Sequence, residues 1–410
     1  MLNMSTLSTL FTSTSIGLPA QPPSWADVET AENETQNQNV NDVFSRMESF
    51  NASMHQVQAY QSDYQMNMAQ EVHYTQNGVL YTSGPEQYSY LHPSVVYTPE
   101  CQYSSCSSSN RLIYKLVAKY IATLNELMEN GYPMFFDGQT KMVTIPETTF
   151  TRGKNLYLLP EDKIRRCTRC RSHFELENNG RKNQRSCVYH PKGIIYDKVR
   201  KEEIRLCCNQ KAGFSAGCEV RRFHVFDQIL ITELETFLPT EKPKGINDAR
   251  STNVLAIDAE MVYTTSGPAL ARLSVVNFDG QLVMDIIVKP SSMVIDPNTE
   301  YSGLTFDDIN SATDTLESCR NKFFTLVNER SILVGHSLES DLKALRITHS
   351  RVVDTSLLYL SKGFKVGLKK LALIHLGRQI QANNPMMKGH DSEEDARVAL
   401  DLLKLQMGMS

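Results

Sequence analysis

The stretch Val254-Leu-Ala-Ile-Asp258-Ala-Glu260-Met-Val262 determines the fold predicted for this chain. Its apolar residues predict a buried strand, and because side chains alternate across a strand, Asp258 and Glu260 lie side by side on one face. Two carboxylates at the end of an apolar strand repel each other unless a hard cation such as Mg²⁺ or Mn²⁺ lies between them. The stretch therefore indicates a metal site, with a solvated strand edge as the alternative when it is taken alone.

Strand-like and helical segments follow this first strand. Ala271 to Phe278 and Leu282 to Val288 predict two more strands around a turn at Asp279 and Gly280. Helical spacing then recurs in four segments: Asp314 to Glu329, Leu338 to Ile347, Leu368 to Leu376 and Ser392 to Leu405. Antiparallel-looking strands followed by alternating helices and strands predict an α/β domain with a mixed sheet over residues 253–410.

A third acid lies where a predicted strand enters a helix. The strand Ser331 to Gly335 is followed by a helix, and Asp341 falls in its first turn, from which we expect it to project towards the strand ends. A favourable interaction with the helix dipole explains an acid at this position equally well.

A fourth acid and a histidine lie close together near the C-terminus. We expect Ser392 to cap the last helix, which places Asp395 in its first turn beneath the loop that bears His390. A capping box with an incidental histidine is the alternative for this stretch.

Together these segments resemble the motifs of the DEDDh family of 3′-to-5′ exonucleases, and within it the RNA exonuclease 1 subgroup of eukaryotes. The agreement runs from about Val254 to Leu405 and includes flanking segments such as Thr299 to Thr305. The resemblance implies an RNase H-like fold and an enzyme that removes nucleoside 5′-monophosphates from RNA 3′ ends, in the processing of structured small RNAs. A catalytically inactive RNA-binding or scaffold protein and a DNA 3′-to-5′ exonuclease are the two alternatives.

The resemblance also implies a role for each residue of the site. The carboxylates would hold two Mg²⁺ or Mn²⁺ ions, and the histidine, with an ordinary pKa of about 6.5, would take a proton from the attacking water. Met261 and Leu273 would contact the terminal base, although core packing explains both. The catalytic set is then Asp258, Glu260, Asp341, His390 and Asp395.

A second set of chemically distinctive residues lies upstream, in residues 151–238. Six of the nine cysteines occur there, and with two of the histidines they form a set of candidate ligands: Cys167, Cys170, Cys187, His190, Cys207, Cys208, Cys218 and His224. Thiolate and imidazole are the ligands that tetrahedral zinc prefers, so eight of them predict two structural Zn²⁺ ions. Their order resembles the CHORD-type zinc module, except that Asp197 stands where such modules often carry another histidine. The sequence leaves open how the ligands divide between the two ions.

The same module is basic, although the whole chain has a formal net charge of −4. Residues 151–225 contain 18 Lys and Arg against 8 Asp and Glu. We expect this charge to bind the RNA backbone upstream of the end being cut, and a protein-docking module is the alternative. The basic residues near the ligands are Arg165, Arg166, Arg169, Arg171, Arg181, Lys182, Arg185, Lys192, Lys198, Arg200 and Lys201.

The remaining segments connect or precede these domains. Residues 1–109 are polar, rich in Ser, Asn and Gln, and predict a disordered low-complexity arm that could bind protein partners. Residues 110–150 predict one amphipathic helix and a connector, with the helix docked on a neighbouring domain or free to bind a partner. Residues 239–252 predict a linker.

The sequence also bears on the compartment. No apolar run approaches the roughly 20 residues that cross a bilayer, so no membrane partner is expected. The N-terminus has no secretory or transit signal, which favours a reducing compartment. The family resemblance favours the nucleus, with the cytoplasm as the alternative.

Overall fold

The structure, a computed structural model, describes residues 108–135, 142–148, 151, 156–176, 186–381 and 389–409. The predicted arm lies outside these residues, apart from its last two positions, which begin the first helix. In the described part of the chain, no helix has both the length and the apolarity needed to span a bilayer.

The elements are numbered here in chain order. The α-helices are α1 Ser108–Val117, α2 Leu124–Glu129, α3 Thr299–Ser302, α4 Phe306–Ser311, α5 Leu316–Phe324, α6 Glu339–Leu345, α7 Thr355–Leu358, α8 Leu368–Leu376 and α9 Ser392–Gln406. Short 3₁₀ helices cover Ala118–Tyr120, Ile231–Thr236 and Ala249–Thr252. The strands are β1 Tyr157–Leu158, β2 Ile164–Arg166, β3 His173–Glu175, β4 Cys187–Tyr189, β5 Ile194–Asp197, β6 Glu202–Arg205, β7 Glu219–Arg221, β8 Ile229–Leu230, β9 Leu238–Pro239, β10 Val254–Thr264, β11 Gly267–Asn277, β12 Leu282–Ile287, β13 Val294–Asp296, β14 Ile332–Gly335, β15 Ile347–Thr348 and β16 Val352–Asp354.

A six-stranded mixed sheet forms the nuclease domain. Its order is β12-β11-β10-β14-β16, and β13 pairs with the far end of β10. Strand β10 is antiparallel to β11 and β13 and parallel to β14, which is parallel to β16. The sheet confirms the predicted α/β class and the RNase H-like arrangement of mixed strands flanked by helices.

The two faces of β10 pack in different cores. Ile257 and Ala259 belong to a cluster with helices α5 and α6. Val254 and Ala256 face the other way and pack beneath α9, against Leu400. Burying each large apolar side chain contributes roughly 1.5–3 kcal/mol. Because the alternation continues along the strand, the next two residues on the α9 face are the predicted acids.

The N-terminal segment differs from its prediction as one continuous helix. The helical segment ends after the first 3₁₀ helix. There the Ala122 amide donates to the Val352 carbonyl at 2.8 Å, at the edge of the sheet. Thr123 then starts α2 with a capping box, in which Glu126 accepts from the Thr123 amide. The single-helix prediction was wrong because this capping box begins a second helix. The docked interpretation is confirmed, since Val117 is fully buried in a core of the nuclease domain.

The predicted linker over residues 239–252 is packed against the nuclease domain, which corrects the prediction. Strand β9, at its start, pairs with β15. The side chain of Arg250 is 10% exposed and forms ion pairs with Asp248 and Glu241. It also donates to the carbonyl of Phe324. Buried charge and strand pairing therefore fix this segment to the domain.

The upstream module is built from two-stranded ribbons. The pairs are β1 with β8, β2 with β3, β4 with β7, and β5 with β6. Its core is small and contains Leu158, Phe174 and Phe226 beside two cysteines. A core of this size gives little stability by itself, and such domains commonly need a metal or disulfides.

Candidate active site

The first two acids lie at the end of the buried part of β10. Asp258 pairs in register with Ser274 on β11, and Glu260 pairs with Arg272. Glu260 is 6% exposed, and Asp258 is partly buried. Both lie where β10 passes beyond its parallel pairing with β14, which ends at Ala256. The predicted pair is therefore formed.

Asp341 reaches the same point from helix α6. Its Oδ1 accepts a hydrogen bond of 2.7 Å from the amide of Ala259, the residue between the two strand acids. The turn into α6 needs glycine at position 335, because a Cβ there would lie 2.3 Å from Leu338 Cδ2. The tight turn thus brings the third predicted acid beside the first two.

Asp395 comes from the first turn of α9. It is 3% exposed, and its Oδ2 accepts a hydrogen bond of 2.7 Å from Gln381 Nε2. Asp391, whose side chain accepts from the Glu393 amide, is the N-cap, so the prediction that Ser392 caps the helix was wrong. Ser392 is buried instead, with its Oγ 2.6 Å from the Ser274 hydroxyl on β11, and this contact fixes α9 over the sheet.

His390 lies in the loop immediately before α9. Its amide donates to the Tyr301 carbonyl at 2.7 Å, and the two rings meet edge-on with centroids 5.9 Å apart. Its Nδ1 is 3.7 Å from Asp395 Oδ2. Gly389 has φ +106°, and a Cβ there would lie 2.2 Å from the Gly303 amide nitrogen. The segment after β13 therefore holds the histidine loop by close backbone contact.

Burial and repulsion from neighbouring acids raise the pKa values of the four carboxylates. Burial and the neighbouring Asp395 and Asp341 raise the pKa of Glu260 to about 8. Burial, with a contribution from Glu339, raises the pKa of Asp341 to about 8, and burial raises that of Asp395 to about 7. Burial and the same neighbours raise the pKa of Asp258 well above its usual value. Four acids this close cannot all ionise without a compensating positive charge.

Two carboxylate oxygens identify where that charge belongs. Glu260 Oε1 and Asp395 Oδ1 are buried and have no hydrogen-bond partner among the described residues. Buried carboxylates without partners are costly, and a hard divalent cation prefers oxygen ligands of this kind. The donor set and the orphaned oxygens therefore fit divalent metal ions.

Burial lowers the pKa of His390, and Lys369 lowers it further. Its side chain is 33% exposed, so the ring is reachable from the cleft. A lowered pKa keeps the imidazole neutral at physiological pH, which is the form that accepts a proton.

Arg272 is a member of the site that sequence reasoning missed. It forms a two-pronged ion pair with Asp285, at 2.8 and 2.9 Å, and contacts Asp391 at 3.1 Å. It thereby links β11 and β12 to the start of α9. Its charge also lowers the pKa values of Asp258 and Glu260, against the larger effect of burial. The sequence did contain a signal for this role, because Arg272 is the single charged residue in an otherwise largely apolar predicted strand.

The two predicted base contacts have different outcomes. Met261 lines the cleft beside the acids. Leu273 does not, because it pairs in register with Ala259, on the face opposite the carboxylates, and is fully buried in the core. A bulge after Glu260 brings Leu270 opposite Met261, and Leu270 lines the cleft instead.

The eight predicted zinc ligands form two clusters. The outer residues of the series form one, Cys167, Cys170, Cys187 and His224, and the inner residues form the other, His190, Cys207, Cys208 and Cys218. Within each cluster all ligand atoms lie within 4.8 Å of one another. Along the chain, all four ligands of the inner cluster lie between the third and fourth ligands of the outer cluster. Cys187 and His190 therefore belong to different clusters.

The distances inside the clusters fit tetrahedral zinc. The sulfurs of Cys167 and Cys187 lie 3.7 Å apart, and two sulfurs at about 2.3 Å from a tetrahedral zinc are separated by about 3.8 Å. His190 Nδ1 faces Cys207 and Cys208 at 3.5 and 3.6 Å, while its Nε2 faces the Ser215 carbonyl at 3.2 Å. A second partner of this kind orients a metal-bound histidine. Asp197 is in neither cluster.

Comparison with known proteins gives named relatives. The pqe-1 protein of Caenorhabditis elegans is 45% identical over 298 residues, which are 71% of this chain and 18% of that protein. RNA exonuclease 3 of Candida glabrata is 34% identical over 300 residues, 66% of this chain and 72% of the relative. RNA exonuclease 1 homolog of Homo sapiens is 34% identical over 297 residues, 71% of this chain and 23% of the relative. The chain thus spans less than a quarter of the length of two of these relatives.

No protein-family model matches the chain. Among solved structures, the Neurospora crassa Pan2 catalytic unit (protease and nuclease domain) is 27% identical with a TM-score of 0.35, covering 41% of this chain and 29% of that chain. The match to RNA exonuclease 3 covers more than two thirds of that relative. The chain therefore belongs to the DEDDh-type RNA exonuclease family that includes RNA exonuclease 3 and the RNA exonuclease 1 homologues.

Proposed function

We propose that this chain is a 3′-to-5′ exoribonuclease that releases nucleoside 5′-monophosphates from RNA 3′ ends. The observation that carries the proposal is the convergence of Asp258, Glu260, Asp341 and Asp395 beside His390, with two buried carboxylate oxygens that have no partner among the described residues. Membership of an RNA exonuclease family supports the substrate.

In this proposal the four carboxylates would hold two Mg²⁺ or Mn²⁺ ions. Such a pair of ions would stabilise the attacking and leaving oxygens of an in-line displacement at phosphorus. Glu260 and Asp395 would each contribute a buried oxygen that has no hydrogen-bond partner among the described residues. Asp341 is held in place by the Ala259 amide, and Arg272 fixes the start of α9 and hence Asp395.

His390 acts as the general base. Its Nδ1 faces Asp395, and it is placed to take a proton from a water held at the carboxylates. The Tyr301 carbonyl fixes the loop through the His390 amide, which leaves the ring free to move that proton.

Each cysteine cluster holds one structural Zn²⁺. The sulfurs of Cys167 and Cys187 lie close enough to share one proton, which lowers the pKa of the Cys167 thiol and raises that of the Cys187 thiol. A bound zinc ion would replace that proton. Purified protein should contain two zinc ions per chain by elemental analysis, and Cys167→Ser and Cys207→Ser should each remove one. A chain that contains no zinc contradicts this assignment.

The biological setting is proposed from the family resemblance alone. We propose that the substrates are structured small RNAs and that the enzyme works in the nucleus, with the cytoplasm as the alternative compartment. Protein partners are proposed for residues 1–109, which lie mostly outside the described residues.

Digestion of matched, 5′-labelled RNA and DNA strands by the full-length chain tests the function. The proposal expects RNA to shorten stepwise from its 3′ end when Mg²⁺ or Mn²⁺ is added, and to remain intact without either ion. Preferential shortening of DNA favours a DNA exonuclease, because the metal site itself does not inspect the 2′-hydroxyl. Binding of RNA without cleavage under every ion condition favours the inactive scaffold.

A further inference from the structure

The zinc module forms one side of the catalytic cleft. A cleft of about 760 Å³ is lined on the nuclease side by Asp258, Glu260, Met261, Tyr301, His390 and Asp395, and on the module side by Thr168, Arg169, Arg171, Tyr189, His190 and Pro191. The sequence predicted that the module would bind RNA upstream of the cut. Its position beside the carboxylates indicates a role at the RNA end itself.

Predicted zinc ligands flank two of the module residues that reach the cleft. Arg169 lies between Cys167 and Cys170 of the outer cluster. Tyr189 lies between Cys187 of the outer cluster and His190 of the inner one, and His190 is itself a cleft residue. The two clusters therefore determine where this wall of the cleft stands.

Arg169 joins the wall to the nuclease domain. Its side chain is 10% exposed, and its guanidinium contacts Asp296 at 2.6 Å and Asn298 at 3.2 Å. It also lies over the ring of Tyr263 on β10, 5.3 Å from the centroid. Since α3 follows Asn298 directly and its Tyr301 carbonyl holds the His390 amide, this contact links the module to the histidine loop.

Arg171 is an exposed cation on the module side of the cleft. It makes no ion pair or side-chain hydrogen bond within the described residues. Its left-handed backbone, with φ 67°, directly follows the ligand Cys170. An exposed guanidinium that shares a cleft with the carboxylate cluster, and that has no acidic partner among the described residues, suits a phosphate oxygen.

We propose that the zinc module is the second wall of the RNA-binding cleft, in which Arg169 locks the module to the nuclease domain and Arg171 contacts a backbone phosphate of a single RNA strand. The inference rests on the exoribonuclease function proposed above. A cleft with a wall on each side admits an unpaired 3′ end. A blunt duplex end is excluded because it collides with the module. Arg169 is thus a positioning residue, and Arg171 is a substrate contact.

Four variants of the full-length chain test the proposal: Arg169→Ala, Arg171→Asn, Arg171→Lys and Lys198→Gln. Asparagine tolerates the left-handed backbone at 171, lysine keeps the charge, and Lys198 is an exposed module cation that does not line the cleft. Affinity for a 5′-labelled single-stranded RNA is measured against salt in an Asp258→Asn background. KM, kcat and zinc content are measured with Asp258 intact.

We expect Arg169→Ala to raise KM about tenfold and to lower kcat by a smaller factor, because its contact also reaches the histidine loop, while both zinc ions are retained. Arg171→Asn should reduce the slope of log affinity against log salt by about 0.7, the value for one phosphate contact to a single strand. Arg171→Lys and Lys198→Gln should change neither quantity. Single strands should be cut far faster than blunt duplexes by the wild-type chain.

Two results overturn the inference. One is an unchanged RNA affinity and salt slope in Arg171→Asn; the other is an equal loss in Lys198→Gln, which assigns binding to the whole basic face. If Arg169→Ala loses zinc, that variant is set aside. The comparison of Arg171→Asn with Arg171→Lys then decides the outcome. Failure of the proposed function is a separate result, because then the wild-type chain does not shorten RNA at all.

Discussion

The four clustered carboxylates and Asp354 are acids of the same domain, but they differ in how many hydrogen-bond partners the protein gives their oxygens. Asp354 is 1% exposed and accepts hydrogen bonds from the Tyr132 hydroxyl at 2.7 Å and from the Ser337 and Ser356 amides at 2.8 Å. Glu260 and Asp395 are also buried, yet each has one oxygen without a partner among the described residues. The protein completes the environment of Asp354, whereas the proposed metal ions would complete that of the clustered carboxylates.

The largest expected effect follows from removing one ligand of the proposed ions. Asp258→Asn should reduce the exonuclease rate by about 10³-fold or more, because metal stabilisation of the transition state is worth several kcal/mol. The initial rate on 5′-labelled RNA measures it, and circular dichroism confirms that the fold is intact. A variant that keeps more than about a tenth of the rate places the metal ions elsewhere.

Removing the proposed general base should have the next largest effect. His390→Ala should slow hydrolysis by about 10² to 10⁴-fold, the usual contribution of a positioned base. His375→Ala, at a histidine on α8 that packs against Tyr359, is the matched control and should keep the wild-type rate. Full activity of His390→Ala across neutral pH would rule out the assigned role.

Stability should change in opposite directions at the two kinds of acid. Asp354→Ala leaves one hydroxyl and two amides without partners and should lower the unfolding free energy by about 3 kcal/mol or more. Asp395→Asn, without added Mg²⁺ or Mn²⁺ at pH 8, should raise it by roughly 1 kcal/mol or more, because ionised Asp395 is strained there. Urea unfolding at one pH compares both. Equal destabilisation by the two changes contradicts the distinction.

These outcomes depend on features that the sequence contains to different degrees. Asp258 and Glu260 were predictable because strand alternation is local, and Asp341 and Asp395 because each falls in a helix's first turn. The Gln381 contact to Asp395 was not predictable, because it joins groups brought together only by the fold.

Local competition and tertiary packing account for the predictions that failed. Two adjacent residues, Asp391 and Ser392, are both good caps, and only the packing of Ser392 on Ser274 decides between them. The division of the zinc ligands, which the sequence had left open, also depends on the fold, because Cys187 and His190 are three residues apart and enter different clusters. The identity of Leu273 alone also does not show which face of its strand packs in the core.

The smallest expected effect concerns a buried histidine that the protein satisfies internally. His349 lies between the Thr240 hydroxyl and the Ser331 carbonyl, both at 3.0 Å, and burial lowers its pKa to about 4. Because the folded pKa is below the unfolded value of about 6.5, its contribution is full above pH 6.5 and is lost as the pH falls towards 4. The unfolding free energy should fall by about 2–3 kcal/mol over that interval.

Comparison of wild type with His349→Gln by urea unfolding at pH 7 and pH 4 measures this loss. The variant has no titrating group at 349, so its stability should change less between the two pH values. Identical changes in both proteins would assign the acid sensitivity to other groups.

Calorimetric titration of Mg²⁺ or Mn²⁺ into dialysed protein at neutral pH tests the central claim most directly, because it asks whether a ligand completes the carboxylate cluster. We expect wild type to bind two ions, with release of protons from carboxylates whose pKa values are raised, and with a higher Tm in the ion-bound protein. Asp258→Asn should lose this binding. Wild-type protein that binds neither ion and shows an unchanged Tm would contradict the account.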